Sequence, residues 1–438
     1  MRSKEKLFGA LFALGLVATA GPSVNYVNAI LNSSARWIVL LPLLVFIIVK
    51  GKFFIGFHGM SQVFAVGLLV FTVLSTAWSS VPLLSGSKSI MFLLVALVYS
   101  SAGALWMRYA PRKNAMDVLW PLALLGFVAG AGGAVDPRAL VSMNETVQLY
   151  RGLAFNSNFL GMLLMGALPL PLWRMSQPKI STREKWFYYV ILVGMLQLLM
   201  STFSRASMLG AGILIAFYIM GRGVSRFMLT FLALPIMLFA APAIFPEQTV
   251  NLVAQYVYKG SDPDAGVLAS REEAWNASYE GAIQGGLLGL GYGVSYGYSD
   301  FSLGLASSDY GREKANLFLA IVEESGIVGL VLFVGMLLSL LRRGLAATTV
   351  VRSANDRILL FLLAGYIVAL TVHAQFEAWM YSPGGALTPV FWAAAGMLTR
   401  LRLEVFRTRS AHIRAHRDAL QGSPSATSAQ LPQRLPNA

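Results

Sequence analysis

The chain has 438 residues, of which 56% are apolar and only 12% charged, and its 34 Lys+Arg against 20 Asp+Glu give a formal net charge of +14. A soluble globular protein carries about a quarter charged residues, so the composition argues against a water-soluble enzyme. The basic excess then points to cytoplasmic loops of a membrane protein rather than to nucleic acid. The absence of cysteine excludes disulfides, Fe–S clusters, Cys-zinc sites and thiol nucleophiles, and the four histidines are too scattered for a His-rich metal site.

A helix needs about 20 mostly apolar residues to cross about 30 Å of hydrocarbon. Twelve stretches are candidates, near 7–22, 36–50, 61–78, 88–107, 116–134, 157–173, 186–202, 206–221, 227–245, 317–341, 357–374 and 385–400. Several are short or contain Gly and Pro, so the expected range is ten to twelve. The runs are continuous, unlike the alternating segments of a membrane β-barrel. The expected fold class is therefore all-α, a polytopic transmembrane helical bundle. Arg2, Lys4 and Lys6 before an apolar run ending at Ala18-Thr19-Ala20 imitate a cleavable signal. Because further spans follow at once, the segment is read as an uncleaved first span.

With the N-terminus in the cytoplasm and twelve spans, all but nine of the 34 cations fall on the cytoplasmic side, as the charge bias of membrane proteins requires. The nine outside are Arg36, Lys88, Arg138, Arg151, Arg205, Lys259, Arg271, Arg312 and Lys314. Four regions follow. Residues 1–245 hold about nine N-terminal spans. Residues 246–315 form a long periplasmic loop domain containing helix. Residues 316–400 hold about three more spans. Residues 401–438 form a basic cytoplasmic tail, expected as an interfacial helix that binds anionic lipid followed by disorder. A second outside stretch covers 135–156.

Cations at the outer membrane face are costly unless something anionic pairs with them. Arg205 sits in STFSRASMLG, a short turn between two apolar runs. It is either a snorkelling or carboxylate-paired arginine, or the planar fork that holds phosphate oxygens. Arg151 opens RGLAFNSNFLG, where Asn156 and Asn158 are either helix caps or amide partners for sugar hydroxyls and phosphate. In the long loop, REEAWNASYEGAIQ reads as a helix with Arg271, Trp275 and Tyr279 on one face. Arg271 forms either a surface ion pair or a ligand contact, and Trp275 is an aromatic platform for a sugar ring or an interfacial belt residue. The string GLLGLGYGVSYGYSD after it is expected to be turn-rich coil; no strand precedes it, so it is no dinucleotide fingerprint. Asp262-Pro263-Asp264 reads first as a turn.

Arg312 and Lys314 stand at the mouth of GREKANLFLAIVEESGIVG. Glu323 and Glu324 lie seven and eight residues past Asn316, roughly 10–12 Å along the helix at about 1.5 Å per residue, inside the apolar zone. Such carboxylates need a partner or a raised pKa, and one of them is expected to pair with Arg205 or Arg151. His373 and Glu377 share a helix face at the outer end of the eleventh span, with His373 either a structural hydrogen-bonding group or a base.

In this order and spacing, RGLAFNSNFLG, STFSRASMLG, REEAW with GLGYG, and ANLFLAIVEESGIVG resemble the O-antigen ligase and Wzy-type polysaccharide polymerase superfamily over residues 150–330. That family carries His-Asn, then Glu and Gly at fixed offsets. Asn316, Glu324 and Gly326 match, while Ala315 stands where ligases carry histidine, which favours a polymerase. The resemblance implies a glycosyltransferase of the inner membrane that needs no cofactor or metal. Its donor is an undecaprenyl-diphosphate-linked glycan and its acceptor a second glycan or a lipid-linked group. Membrane lipids and other polysaccharide-assembly proteins are its remaining partners. Arg205 and Arg271 would grip the diphosphate. Candidates for a base are Glu324, Glu313, Asp309, Glu272, Glu273 and His373. The competing readings are an O-antigen ligase, a ligase acting on protein, a flippase of lipid-linked sugars and a scaffold of an export complex. A flippase should show paired broken helices or inverted halves.

Overall fold

The computed structural model describes residues 3–30, 35–142, 148–230, 269–296, 314 and 316–420, and the fold is a helical bundle. In chain order the helices are α1 (Ser3–Ala20), α2 (Asn25–Ile30), α3 (Ala35–Val49), α4 (Met60–Leu74), α5 (Pro82–Tyr109), α6 (Trp120–Gly132) and α7 (Ser157–Ala167). They continue with α8 (Pro169–Met175), α9 (Thr182–Ser201), α10 (Arg205–Arg222), α11 (Ala269–Gly285), α12 (Leu317–Thr348), α13 (Ala354–Ala374) and α14 (Thr388–Leu420). Strands β1 (Leu140–Ser142) and β2 (Gln148–Tyr150) form a small antiparallel pair, with Val141 opposite Leu149, inside the second stretch assigned to the outside.

Among the described residues, six helical stretches are long and apolar enough to cross a membrane: Lys4–Ser23, Met60–Ala77, Pro82–Tyr109, Arg112–Gly132, Leu317–Thr348 and Ala354–Ala374. The chain is thus a multi-pass membrane protein. Ala35–Val49 is apolar but shorter. The runs at 157–173, 186–202, 206–221 and 385–400 are also helical, as α7 with α8, α9, α10 and the start of α14. The run at 227–245 lies outside the described residues beyond position 230. The tail differs from expectation: no separate interfacial helix follows residue 400, because α14 continues without interruption to Leu420.

Helices α10 and α13 run antiparallel, with Ser207 beside His373 at one end and Gly221 against Ile358 at the other. Helices α4 and α12 are also antiparallel, with Gly67 facing Leu332 and Phe64 facing Gly335. Helices α5 and α14 cross through small residues. Gly103 lies on the Ala393 backbone and Gly396 on that of Ser100, so closely that a Cβ at either position would collide. Small residues let helix backbones approach where apolar burial gives no advantage over lipid.

The two ends of the bundle differ. At one end, Arg112 bridges Asp356 at 3.2 Å and Glu404, while Arg174 holds Asp117 at 2.5 Å. The other end collects the described cations that charge bias placed outside. Arg36 donates to the Gly384 carbonyl at 2.8 Å, Lys88 to that of Gly293 at 2.9 Å and Arg151 to that of Arg138 at 2.7 Å, while Arg205 begins α10 and Lys314 precedes α12.

Helix α12 is broken. Gly326 has φ 64° and ψ −171°, far from helical values, and splits it about a third of the way along. A break frees carbonyls on one side and amides on the other, and lipid supplies no partner for either. The glycine-rich segment 286–296 supplies them. Leu290 N donates to Glu323 O at 2.9 Å and Gly291 N to Glu324 O at 3.1 Å. In the other direction, Ile327 N and Val328 N donate to Gly286 O and Leu287 O, both at 3.2 Å. The Trp78 indole donates to Gly289 O at 3.1 Å, and Tyr292 N donates to Ser75 Oγ at 2.9 Å, which ties the segment to the end of α4. Gly289 has φ 80°, and a Cβ there would strike the Glu324 backbone. The expected coil is therefore a docked arm.

Gly326→Val should lower the melting temperature of the detergent-solubilised protein sharply, because a left-handed backbone held by a branched residue costs about 1–3 kcal/mol and the new side chain meets the Leu287 carbonyl. Gly212→Ala in α10, where a Cβ would meet nothing within 4 Å, should leave it unchanged or raise it slightly. Melting followed by fluorescence size-exclusion separates the two, and equal behaviour would rule out the seam as described.

Candidate functional site

The arm carries its residues onto two buried carboxylates. Glu323 is fully buried and Glu324 is 7% exposed. Lys314 Nζ lies 2.5 Å from Glu324 Oε1 and 3.6 Å from Glu323 Oε2. The remaining oxygens accept from the arm: Gly293 N donates to Glu324 Oε2 at 2.7 Å, and Tyr296 N to Glu323 Oε1 at 2.9 Å. Lys314 also donates to Val294 O at 3.2 Å. Among the described ion pairs, the cation on both carboxylates is Lys314, where Arg205 or Arg151 was expected. The reason is local: Lys314 stands just before α12, its carbonyl accepting from Ala378 N at 3.0 Å. From there its flexible stem reaches both carboxylates, whereas Arg151 is occupied by the Arg138 carbonyl and, at 3.2 Å, by that of Phe155.

Beside this cluster lies a cavity of about 430 Å³. Its charged wall is Lys88, Lys314, Glu324 and Glu377, and Asn156, Asn158, Trp379 and Tyr381 complete much of the rest. Asn156 caps α7, accepting from Phe159 N at 2.8 Å, and Asn158, the second residue of that helix, lines the cavity. Asn316 caps α12, accepting from Phe318 N at 2.9 Å and Leu319 N at 3.1 Å. Both asparagines thus take the cap role, which satisfies amides at helix starts, and Asn156 also faces the cavity.

His373 is fully buried. An indole N–H can only donate, so the Trp379 contact at 3.0 Å makes His373 Nδ1 an acceptor. The neutral ring then carries its proton on Nε2 and donates it to Ser207 Oγ at 3.0 Å, which also accepts from Ser204 Oγ at 2.9 Å. His373 therefore fixes Trp379 in the cavity wall and joins α13 to the start of α10. Arg205 is the first residue of α10 and half-buried, two positions before Ser207. The turn before it places Phe203 at φ 50°, a left-handed conformation costing an L-residue about 1–2 kcal/mol. Strain of this kind gathers at functional sites.

Arg271 lies in α11, whose end packs Gly285 against the backbone of Val322 and Glu323, but its side chain is outside the described residues. Trp275 is half-buried on the same helix, and Glu272 and Glu273 are exposed. Arg312, Glu313 and Asp309 lie outside the described residues. Among the described residues, no three His, Asp or Glu side chains come together as a metal set would need.

Sequence reasoning passed over Lys88 as a site residue, although the charge count had already placed it outside, and gave Glu377 only a shared face with His373. It also missed two tyrosines. Tyr292 is fully buried, and burial, followed by the charge of Glu324, pushes its phenol well above the usual range. It stays protonated and donates to Tyr381 O at 2.8 Å. Burial likewise raises Tyr381, whose hydroxyl meets Ser325 Oγ at 2.8 Å, beside the break in α12.

Residues 190–334 match the Wzy_C family, described as O-Antigen ligase. This third of the chain bears out the resemblance read from the sequence motifs. It contains Arg205, Arg271, Lys314, Glu323, Glu324, the glycine arm and the break, while Lys88, Asn156, Asn158, Glu377 and Trp379 come from outside it. No curated protein matches the chain. A solved structure described as "Structural coordination of polymerization and crosslinking by a peptidoglycan synthase complex" is similar with a TM-score of 0.42 and 17% identity, over 78% of this chain and 97% of that one.

Lys314→Met should destabilise the protein by about 3–5 kcal/mol, since it strands buried carboxylates without their cation. Adding Glu324→Gln should recover part of the loss. Thermal melting of the single and double variants checks this, and additive losses would contradict a shared ion cluster.

Proposed function

We propose that the protein is a membrane glycosyltransferase that polymerises undecaprenyl-diphosphate-linked oligosaccharide units on the periplasmic face of the bacterial inner membrane. The observation that carries this reading is the cavity walled by Lys88, Lys314, Glu324 and Glu377. It lies at the end of the bundle where the outside-assigned cations gather, beside the segment that matches the O-antigen ligase family.

In the proposed reaction the anomeric carbon–oxygen bond to the diphosphate breaks, and a bond from an acceptor hydroxyl oxygen to that carbon forms. The hydroxyl proton leaves and undecaprenyl diphosphate departs with the bonding electrons. The chemical demand is charge stabilisation on the departing diphosphate, which preorganised cations meet, a contribution often worth several kcal/mol. Arg205 and Arg271 are assigned to that diphosphate, with Lys88 and Arg312 as further cations near it. Lys314 is committed to Glu323 and Glu324, so its role and that of Glu324 is to hold the cavity wall in shape. Glu377, on the same wall, is assigned to receive the acceptor proton. Asn156, Asn158 and Trp379 are the polar and aromatic surfaces for sugar hydroxyls and rings. Attachment of finished glycan to lipid A-core is the second reading, favoured by the family's description as O-antigen ligase and opposed by Ala315 in the histidine position.

Arg205→Ala and Arg271→Ala should each abolish polymer while protein still reaches the membrane, and Arg→Lys at either position should also impair it, since an ammonium lacks the planar fork. Immunoblots of membrane fractions beside polysaccharide gels test this; normal polymer from both alanine variants would refute the assignment. Deleting the gene distinguishes the readings. Accumulated single repeat units on the carrier mark a polymerase, full-length chains a ligase, and units trapped at the cytoplasmic face a flippase.

A further inference from the structure

The end of the bundle opposite the candidate active site holds a second cavity, of about 500 Å³. It lies between the α3–α4 connection, the end of α5 and the middle of α14. Lys52, His58, Arg108, Arg400 and Arg407 line it, and no acidic residue does. Among the described residues, only Arg400 of this set has a carboxylate partner, Glu404 at 2.7 Å. Ile55, Phe57 and Leu403 give the same cavity an apolar side.

A second observation concerns Arg402, between the lining residues Arg400 and Leu403. It is 7% exposed, and its Nε has no hydrogen-bond partner. An unsatisfied buried donor is costly, and a charged one more so. Arg343 from α12 also reaches this corner, donating to His58 O at 3.4 Å. Burial first, then the charges of Arg402, Arg343 and Arg407, draw the His58 imidazole below its ordinary value. Like charges concentrated in partly desolvated surroundings call for a counter-anion.

We propose that this cavity binds a phosphate group, with the headgroup of an anionic phospholipid as its source. Guanidinium forks from Arg407 and Arg402 take the phosphate oxygens, Lys52 and Arg108 supply point charge, and Ile55, Phe57 and Leu403 receive the first carbons beyond the headgroup. The ligand holds together α14, the α3–α4 connection and the end of α5, far from the glycan cavity. The proposal is independent of the reaction assigned above.

The test is native mass spectrometry of the full-length protein in neutral detergent, with equimolar phosphatidylglycerol and phosphatidylcholine. One phosphatidylglycerol should be retained in clear preference to phosphatidylcholine. Arg407→Gln and Lys52→Gln, both at the accessible rim, should each weaken its retention about fivefold, the equivalent of one cation near an anionic lipid surface. Arg414→Gln, outside the cavity, should have no effect. Arg402→Gln should weaken it further, and the rim variants carry the test if that buried change prevents folding. In a parallel arm, inorganic phosphate that displaces the lipid identifies a general phosphate site, and phosphate that fails to displace it identifies a headgroup site. Equal retention of the two lipids, or wild-type retention by the Lys52→Gln/Arg407→Gln double variant, would overturn the proposal.

Discussion

Backbone polar groups inside an apolar bundle must find partners within the protein, and the break at Gly326 turns that rule into architecture. Splitting α12 there exposes the carbonyls of Glu323 and Glu324 and the amides of Ile327 and Val328, and the 286–291 stretch answers them in both directions. Docking this stretch then delivers the amides of Gly293 and Tyr296 to the two carboxylate side chains and the Val294 carbonyl to Lys314. The ion cluster, the cavity wall and the buried pair Tyr292 and Tyr381 all follow from one non-helical residue.

Much of this was legible in the sequence. Apolar runs of about 20 residues locate the helices because lipid permits little else. A rise of about 1.5 Å per residue correctly put Glu323 and Glu324 within the buried part of α12. Reading the charge bias isolated the cations that the fold gathers at one end. Other features were not legible, for identifiable reasons. Composition shows that a glycine string is irregular, but not that another helix has a gap of matching hydrogen-bond polarity; the match between 286–291 and Gly326 exists only in three dimensions. Spacing along the chain could not choose the cation of the carboxylates, because only the folded path before α12 brings Lys314 to both of them. Asn156 and Asn158 look alike in RGLAFNSNFLG, yet one caps a helix through its side chain and the other lies a residue inside it. The Arg271 side chain and Arg312, central to the sequence argument, lie outside the described residues.

The bundle divides its chemistry between its ends. At the end with the candidate site, cations contact carbonyls and carboxylates around a cavity with both signs of charge on its wall. At the opposite end, arginines brace the connections: Arg112 joins Asp356 to Glu404, and Arg174 grips Asp117 through two nitrogens. Lines of small residues, such as those between α5 and α14, carry the packing between the two regions. The cavity wall and the bracing ion pairs thus sit at opposite ends of the bundle.

The docked arm is fastened through its main chain, and its outward side chains contribute little to that attachment: Leu287 is 63% exposed and Leu288 45%. Identity at those two positions is therefore uncoupled from the interlock itself. They form a short stretch whose side chains can be exchanged without touching the main-chain bonds that fasten the arm to α12.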